Sequence, residues 1–203
     1  MTTTSLERAT SEVAEEDLER MALEQKDLLS EFKDYKVGRE GPLTNKMMAD
    51  QGFPGSSAKR FQKIGRINGY MREFNGSSTS GDGTNFMAAT VVHLFDSPES
   101  VHTWMHDVFL HDFEENIGTK LDNEQELVAV ERLEPKGFFD EAVALKALHN
   151  EDDKLVSVTI VDFRLGRLLG VAFVGTHGDH QRLDLATQLG TALEKNMVRI
   201  ALG

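Results

Sequence analysis

Three histidines fall within ten residues, His102, His106 and His111, interleaved with Asp107, Asp112 and Glu114. A spacing of four puts His102 and His106 on one face of a helix, and two imidazoles so placed can grip one metal ion. The full His-Glu-x-x-His pattern is absent, and His111 points roughly half a turn away. Zinc usually takes four ligands, so His102 and His106 alone are expected to hold no metal tightly. A third ligand would have to come from a distant segment, with His177 and His180 as the candidates of the right type. Without one, the pair simply borders the apolar stripe of Val101, Trp104, Met105 and Val108, beside Phe109 and Phe113.

Two other groups of polar residues stand out. His177-Gly178-Asp179-His180 joins an expected strand to the last helix, a kind of connection that often carries function. Lys59, Arg60, Lys63, Arg66 and Arg72 form a basic cluster in an otherwise acidic chain. The cluster either holds an anion or offsets the acidic N-terminal segment, and Arg66 and Arg72 are expected on one strand face. Asp162, Arg164 and Arg167 read as exposed pairs at the end of a hairpin, which contribute little to stability. Aromatic and polar residues also converge around the central elements. Tyr70 and Arg72 lie on one strand, and His102, His106 and Phe109 lie on the helix that follows. Together they make the expected rim of a ligand pocket between sheet and helix.

No catalytic set accompanies them. Gly81-Asp82-Gly83 lacks the Lys-Ser or Lys-Thr of a phosphate loop, no serine sits in a nucleophile elbow, and Glu114 and Glu115 face different sides of a helix. The chain contains no cysteine, which removes disulfides, thiolate metal sites and cysteine nucleophiles. The sequence therefore predicts a protein that is not an enzyme and carries no cofactor.

Charge narrows the partners. The formal net charge is −12, against the basic footprint that nucleic acid or an anionic membrane requires. Half of that excess lies in the first 34 residues, where ten acids face four bases. No stretch is long and apolar enough to span a bilayer. The N-terminus is too acidic for a signal peptide. Either the chain works in the cytosol, or a signal has been removed from an extracytoplasmic protein.

The elements that position these residues follow from periodicity. Residues 1–10 lack apolar anchors and should be frayed. A helix is expected over Ser11–Phe32, with Ala14, Leu18, Met21, Leu28 and Phe32 as its stripe; Phe32–Val37 could instead start an edge strand. Short helices follow, one capped by Asn45 and one over Ala58–Ile64. Alternation predicts paired strands over 66–74 and 86–95, joined by a flexible loop at 75–85. Ser97-Pro98-Glu99 starts a helix that Gly118 closes near Asn116. Strands over 126–133 and 140–149 lead through a tight turn at 150–153 into a hairpin, 155–164 with 168–175, which turns at Gly166. A final helix, capped by Asp179, buries Leu185, Leu189, Leu193, Met197 and Ile200. The order specifies an α+β fold: an antiparallel sheet of six or seven strands flanked by helices. Residues 1–30 read as an acidic tail and helix, and 31–203 as a single domain.

Two stretches carry a resemblance. One is Gly65-Arg66-Ile67-Asn68-Gly69-Tyr70 with Val91-Val92-His93-Leu94-Phe95 and the Ser97-Pro98 helix. The other is Val161-Asp162-Phe163-Arg164-Leu165-Gly166-Arg167 with the strand and helix that end at Ile200-Ala201-Leu202-Gly203. Over about residues 30–203 the chain resembles bacterial extracytoplasmic lipoprotein-like domains with a PsbP-like α/β/α sandwich. That resemblance implies a binding or scaffolding role outside the cytoplasm, although the lipid-bearing cysteine of a lipoprotein is not in this sequence. The expected function is a non-enzymatic binding or interaction domain, with a protein or small molecule as partner. The alternative is a metal- or small-ligand-binding protein that uses the helix histidines.

Overall fold

The computed structural model describes residues 5–76, 81–120 and 125–203. One antiparallel sheet takes six strands from alternating or continuously apolar segments, and the largely exposed segment Lys36–Pro42 pairs onto its edge. Its strands are β1 (Lys36–Pro42), β2 (Arg66–Asn75), β3 (Asn85–Phe95), β4 (Glu126–Leu133), β5 (Ala142–Glu151), β6 (Lys154–Leu165) and β7 (Leu168–His177). Their spatial order is β1-β2-β3-β7-β6-β5-β4. Every pairing but one joins strands consecutive in the chain; the exception, β3 with β7, welds two meanders into one sheet. The expected pairings of 66–74 with 86–95 and of 155–164 with 168–175 are present. Asp152 and Asp153, at φ 49° and 61°, form the tight turn between β5 and β6. Two successive left-handed residues match the twist of a hairpin.

The helices are α1 (Ser5–Ser11), α2 (Leu18–Met21), α3 (Asn45–Asp50), α4 (Ala58–Lys63), α5 (Pro98–Thr103), α6 (His111–Glu115) and α7 (Leu183–Leu202). They cover both faces of the sheet. On one face α7 buries Leu189, Leu193 and Met197 against Val92, Val161, Ala172 and Val174. On the other, α4 and the 98–115 segment bury Phe61, Val101, Trp104 and Met105 against Val91, Phe95, Ile160 and Leu169.

The expected helix over Ser11–Phe32 does not form. The chain instead makes α2 and turns of 3-10 helix at Glu15–Asp17, Gln25–Asp27 and Ser30–Phe32. Asp17 and Asp27 each accept a hydrogen bond from a backbone N–H three residues earlier, at Ala14 and Glu24. Such local bonds compete with helix propagation. The resulting strap sends Leu18, Met21, Leu23 and Phe32 into the core beside α7. These directions do not share one helical stripe. Nor are residues 1–10 without anchors. Residues 1–4 lie outside the described residues, but Thr10 is fully buried. Arg167 donates to the carbonyls of Thr10, Ser11 and Val13 at 3.0, 3.0 and 2.6 Å.

Helix starts divide the same way. Ser97 caps α5 by accepting from Ser100 N at 3.1 Å, as its sequence implies. Thr44, not Asn45, caps α3, because the Asn45 side chain is held by Arg66. Asp179 does not cap the last helix, which begins at Leu183; its carboxylate pairs with Lys146 at 2.8 Å. The helix expected over 98–116 is interrupted by a π-helical stretch, Trp104–Leu110, between α5 and α6.

Candidate functional site

A cavity of about 460 Å³ opens between the sheet and the 98–115 layer, the place where the sequence puts a pocket. Strand register builds its floor. Met71 pairs with Val91, Val91 with Val171, and Val171 with Asp162, so one row crosses four strands. All four side chains line the cavity, with Phe173 and Ile160 in the next row. Trp104, Val108, Phe109 and Phe113 roof it. The wider π turn presents Trp104, Val108 and Phe109 to the sheet; π segments of this kind recur at functional sites.

Three buried polar side chains line this apolar space. Asp162 is fully buried, and its Oδ1 has no hydrogen-bond partner among the described residues. Burial pushes its carboxyl well above the ordinary carboxylate range, toward the neutral form. His93 is also fully buried. Burial, with the neighbouring Arg66 charge, pushes its imidazole well below the usual range. Its Nδ1 accepts from Arg66 Nε at 3.2 Å and lies 2.9 Å from Nη2, which leaves the ring proton on Nε2. His149 is the third; its Nδ1 is buried without a partner among the described residues, and burial lowers its pKa.

Arg66 stands behind His93 and is itself fully buried. It donates to Leu43 O and to Asn45 Oδ1, both at 2.6 Å. Desolvation pulls its guanidinium down to about 9. Gly69 makes room for this pair: a Cβ there would sit 2.6 Å from His93 Nδ1 and 2.7 Å from Arg66 Nη2. At the mouth, Arg60 forks onto Asp112 at 2.6 and 2.7 Å.

The structure separates the residues expected on the pocket rim. Phe109 lines the cavity. Tyr70 and Arg72 flank Met71 on β2 and therefore face the opposite side of the sheet. There Arg72 donates to Leu23 O at 3.0 Å and to Glu40 at 2.6 Å, and stacks 5.5 Å from the Tyr70 ring centre. Arg66 does not share their face. A bulge between Arg66 and Asn68 shifts the register, turning Arg66 toward His93. The basic cluster is thus dispersed: Arg60 serves Asp112, Arg66 serves His93, and Arg72 serves the N-terminal strap.

His102 and His106 sit outside the cavity and meet Glu141, just ahead of β5. His102 Nδ1 lies 2.9 Å from Glu141 Oε2, and His106 Nε2 lies 2.6 Å from Oε1. Burial raises the Glu141 pKa, but the hydrogen bonds from His102 and His106 outweigh it and hold the carboxyl below its ordinary value. An ionised carboxylate only accepts, so both imidazoles donate. The other histidines stay apart. His177 packs with its ring tilted against Phe86, centroids 4.7 Å apart, and His180 pairs with Asp82 at 2.9 Å.

Sequence reasoning passed over Glu141, His93 and Asp162. Asp162 carried a signal, as an acid inside the apolar run Val158–Phe163. Its assignment to an exposed hairpin pair fails because β6 continues to Leu165 and alternation turns Asp162 into the cavity. Arg164 pairs instead with Asp140 and Glu141.

Fold and site together define a two-faced α+β domain with a ligand-sized cavity on one face of its sheet. No protein-family model matches the chain, and no curated protein matches it. Among solved structures it is similar to the extracellular domain of PknH from Mycobacterium tuberculosis. The TM-score is 0.61 at 11% identity, over 92% of this chain and 97% of that one. At that identity the likeness establishes the shared fold alone.

Proposed function

We propose that this chain is a non-enzymatic binding domain that takes a small, mainly apolar molecule with one polar group into the cavity. The buried carboxyl of Asp162 carries the proposal. An unpartnered polar atom costs about 1–3 kcal/mol, and an occupant with a hydroxyl or amide would supply the partner that Oδ1 lacks. The volume of about 460 Å³ falls within the roughly 300–1,000 Å³ of small-ligand pockets. The polar groups suit recognition rather than turnover: His93 Nδ1 is occupied by Arg66, and burial favours neutral Asp162. We place the domain outside the cytoplasm, among bacterial lipoprotein-like domains with a PsbP-like sandwich. The support is the sequence resemblance, together with the fold likeness to an extracellular domain. No helix among the described residues is long and apolar enough to cross a membrane.

Trp104 is the only tryptophan in the chain and lines the cavity, so its emission reports occupancy. Titration with anilinonaphthalene sulfonate should quench Trp104 saturably through energy transfer. Val171→Phe, which fills the floor, should abolish the effect while leaving the circular dichroism spectrum intact. Probe binding that is unchanged in the folded Val171→Phe variant would show that the cavity is not the binding site.

A further inference from the structure

We infer that His102, His106 and Glu141 form a zinc site, separate from the cavity and independent of what occupies it. Two histidines four apart are an incomplete site; the fold completes them with a carboxylate from a segment 35 residues beyond His106. One donor atom from each residue lies within 4.8 Å of the others. Two imidazoles and a carboxylate are the donor set of an exchangeable zinc centre, with the fourth position left to water.

The geometry requires little adjustment. Zinc holds its donors at about 2.0–2.2 Å, so tetrahedral neighbours stand about 3.3 Å apart. His102 Nδ1 and His106 Nε2 are now 2.9 and 2.6 Å from the carboxylate oxygens. Opening these two contacts by about 0.4 and 0.7 Å admits the ion. The His102 and His106 side chains are 58% and 38% exposed, free enough to make that movement and open to bulk zinc. One nitrogen of each ring now faces Glu141; binding requires that nitrogen to carry no proton, leaving the ring proton on the other nitrogen.

Glu141 is already oriented for the task. Arg164 Nε lies 3.5 Å from its Oε2, while Arg164 Nη2 donates to Asp140 at 3.0 Å. Arg164 Nε makes no hydrogen bond at that distance, so the guanidinium is a nearby charge that leaves the Glu141 oxygens to His102 and His106. The ion would also tie the helical layer that roofs the cavity to the connection entering β5.

Isothermal calorimetry of the full chain with zinc chloride at pH 7.5 tests the site. One equivalent should bind in the micromolar range. His106→Ala and Glu141→Gln should each weaken binding by roughly tenfold or more, whereas His180→Ala, at the separate Asp82 pair, should not. Cobalt(II) should give the intense visible absorption of a four-coordinate ion in the wild type and lose it in Glu141→Gln. The variants replace partly exposed side chains, so their circular dichroism should match the wild type. The inference fails if zinc does not bind at 100-micromolar concentration, on the order of a weak adventitious contact. It also fails if His106→Ala or Glu141→Gln binds as the wild type does.

Discussion

Asp162→Asn tests the buried carboxyl through its pH dependence. Asparagine keeps the shape but cannot ionise. In the folded chain burial raises the Asp162 pKa well above 3.8, its ordinary value. Above 3.8 the unfolded chain loses the proton while the folded chain keeps it. The folded state then binds more protons, so stability falls as pH rises, until the folded carboxyl itself ionises. One such group changes stability by at most about 1.4 kcal/mol per pH unit. From pH 4 to pH 6 the wild type should therefore lose up to about 2.7 kcal/mol relative to Asp162→Asn. The opposite trend of His93, whose depressed pKa removes stability as pH falls below its ordinary range, is common to both proteins and cancels in the difference. Urea unfolding of both proteins at pH 4, 5 and 6 provides the measurement. Two stability curves that stay parallel would show that Asp162 is solvated in the folded state and refute the argument. Asp162→Leu should be more stable still at pH 6, and should bind a polar-headed ligand less well.

Gly170 lies under the Phe163 ring, whose Cζ would be 2.1 Å from an added Cβ. Gly170→Ala should cost about 1–3 kcal/mol, read as a lower Tm by calorimetry; an unchanged Tm would mean that the ring can move aside. Arg167→Ala removes the donors to Thr10, Ser11 and Val13. It should cost about 1.5–3 kcal/mol, the range for hydrogen bonds from a charged donor. Amide exchange over residues 10–14 should speed up selectively, and uniform exchange across the chain would place the anchor elsewhere.

Six of the strands, most of their pairings and the helix at Ser97 could be read from residues close together in the chain, whereas the exposed edge strand Lys36–Pro42 overlaps the expected Phe32–Val37 by only two residues. Alternation marks a strand, a left-handed pair such as Asp152-Asp153 suits a hairpin, and a serine before a proline starts a helix. Each signal acts within a few residues, so each survives without knowledge of the rest of the fold. Five of the six strand pairings join sequence neighbours, so the antiparallel class was legible too. The N-terminal strap was not. Leu18, Met21 and Phe32 read as one helical stripe, yet they reach the core from α2 and separate 3-10 turns, because the α7 face needs covering and only tertiary packing shows how.

Local pattern is enough for the α+β class and for two helix histidines on one face. Long-range packing settles what those histidines meet and which buried polar groups line the cavity. The pairing of β3 with β7 places Val91 beside Val171, and through it brings Asp162 into the same row as Met71. A bulge at Arg66 then turns that residue from the Arg72 face toward His93. Glu141 reaches His102 across 39 residues. Apolar periodicity specifies which face of an element is buried, but two segments so far apart meet only where the whole sheet and its helical layers pack together. No spacing in the chain records that meeting.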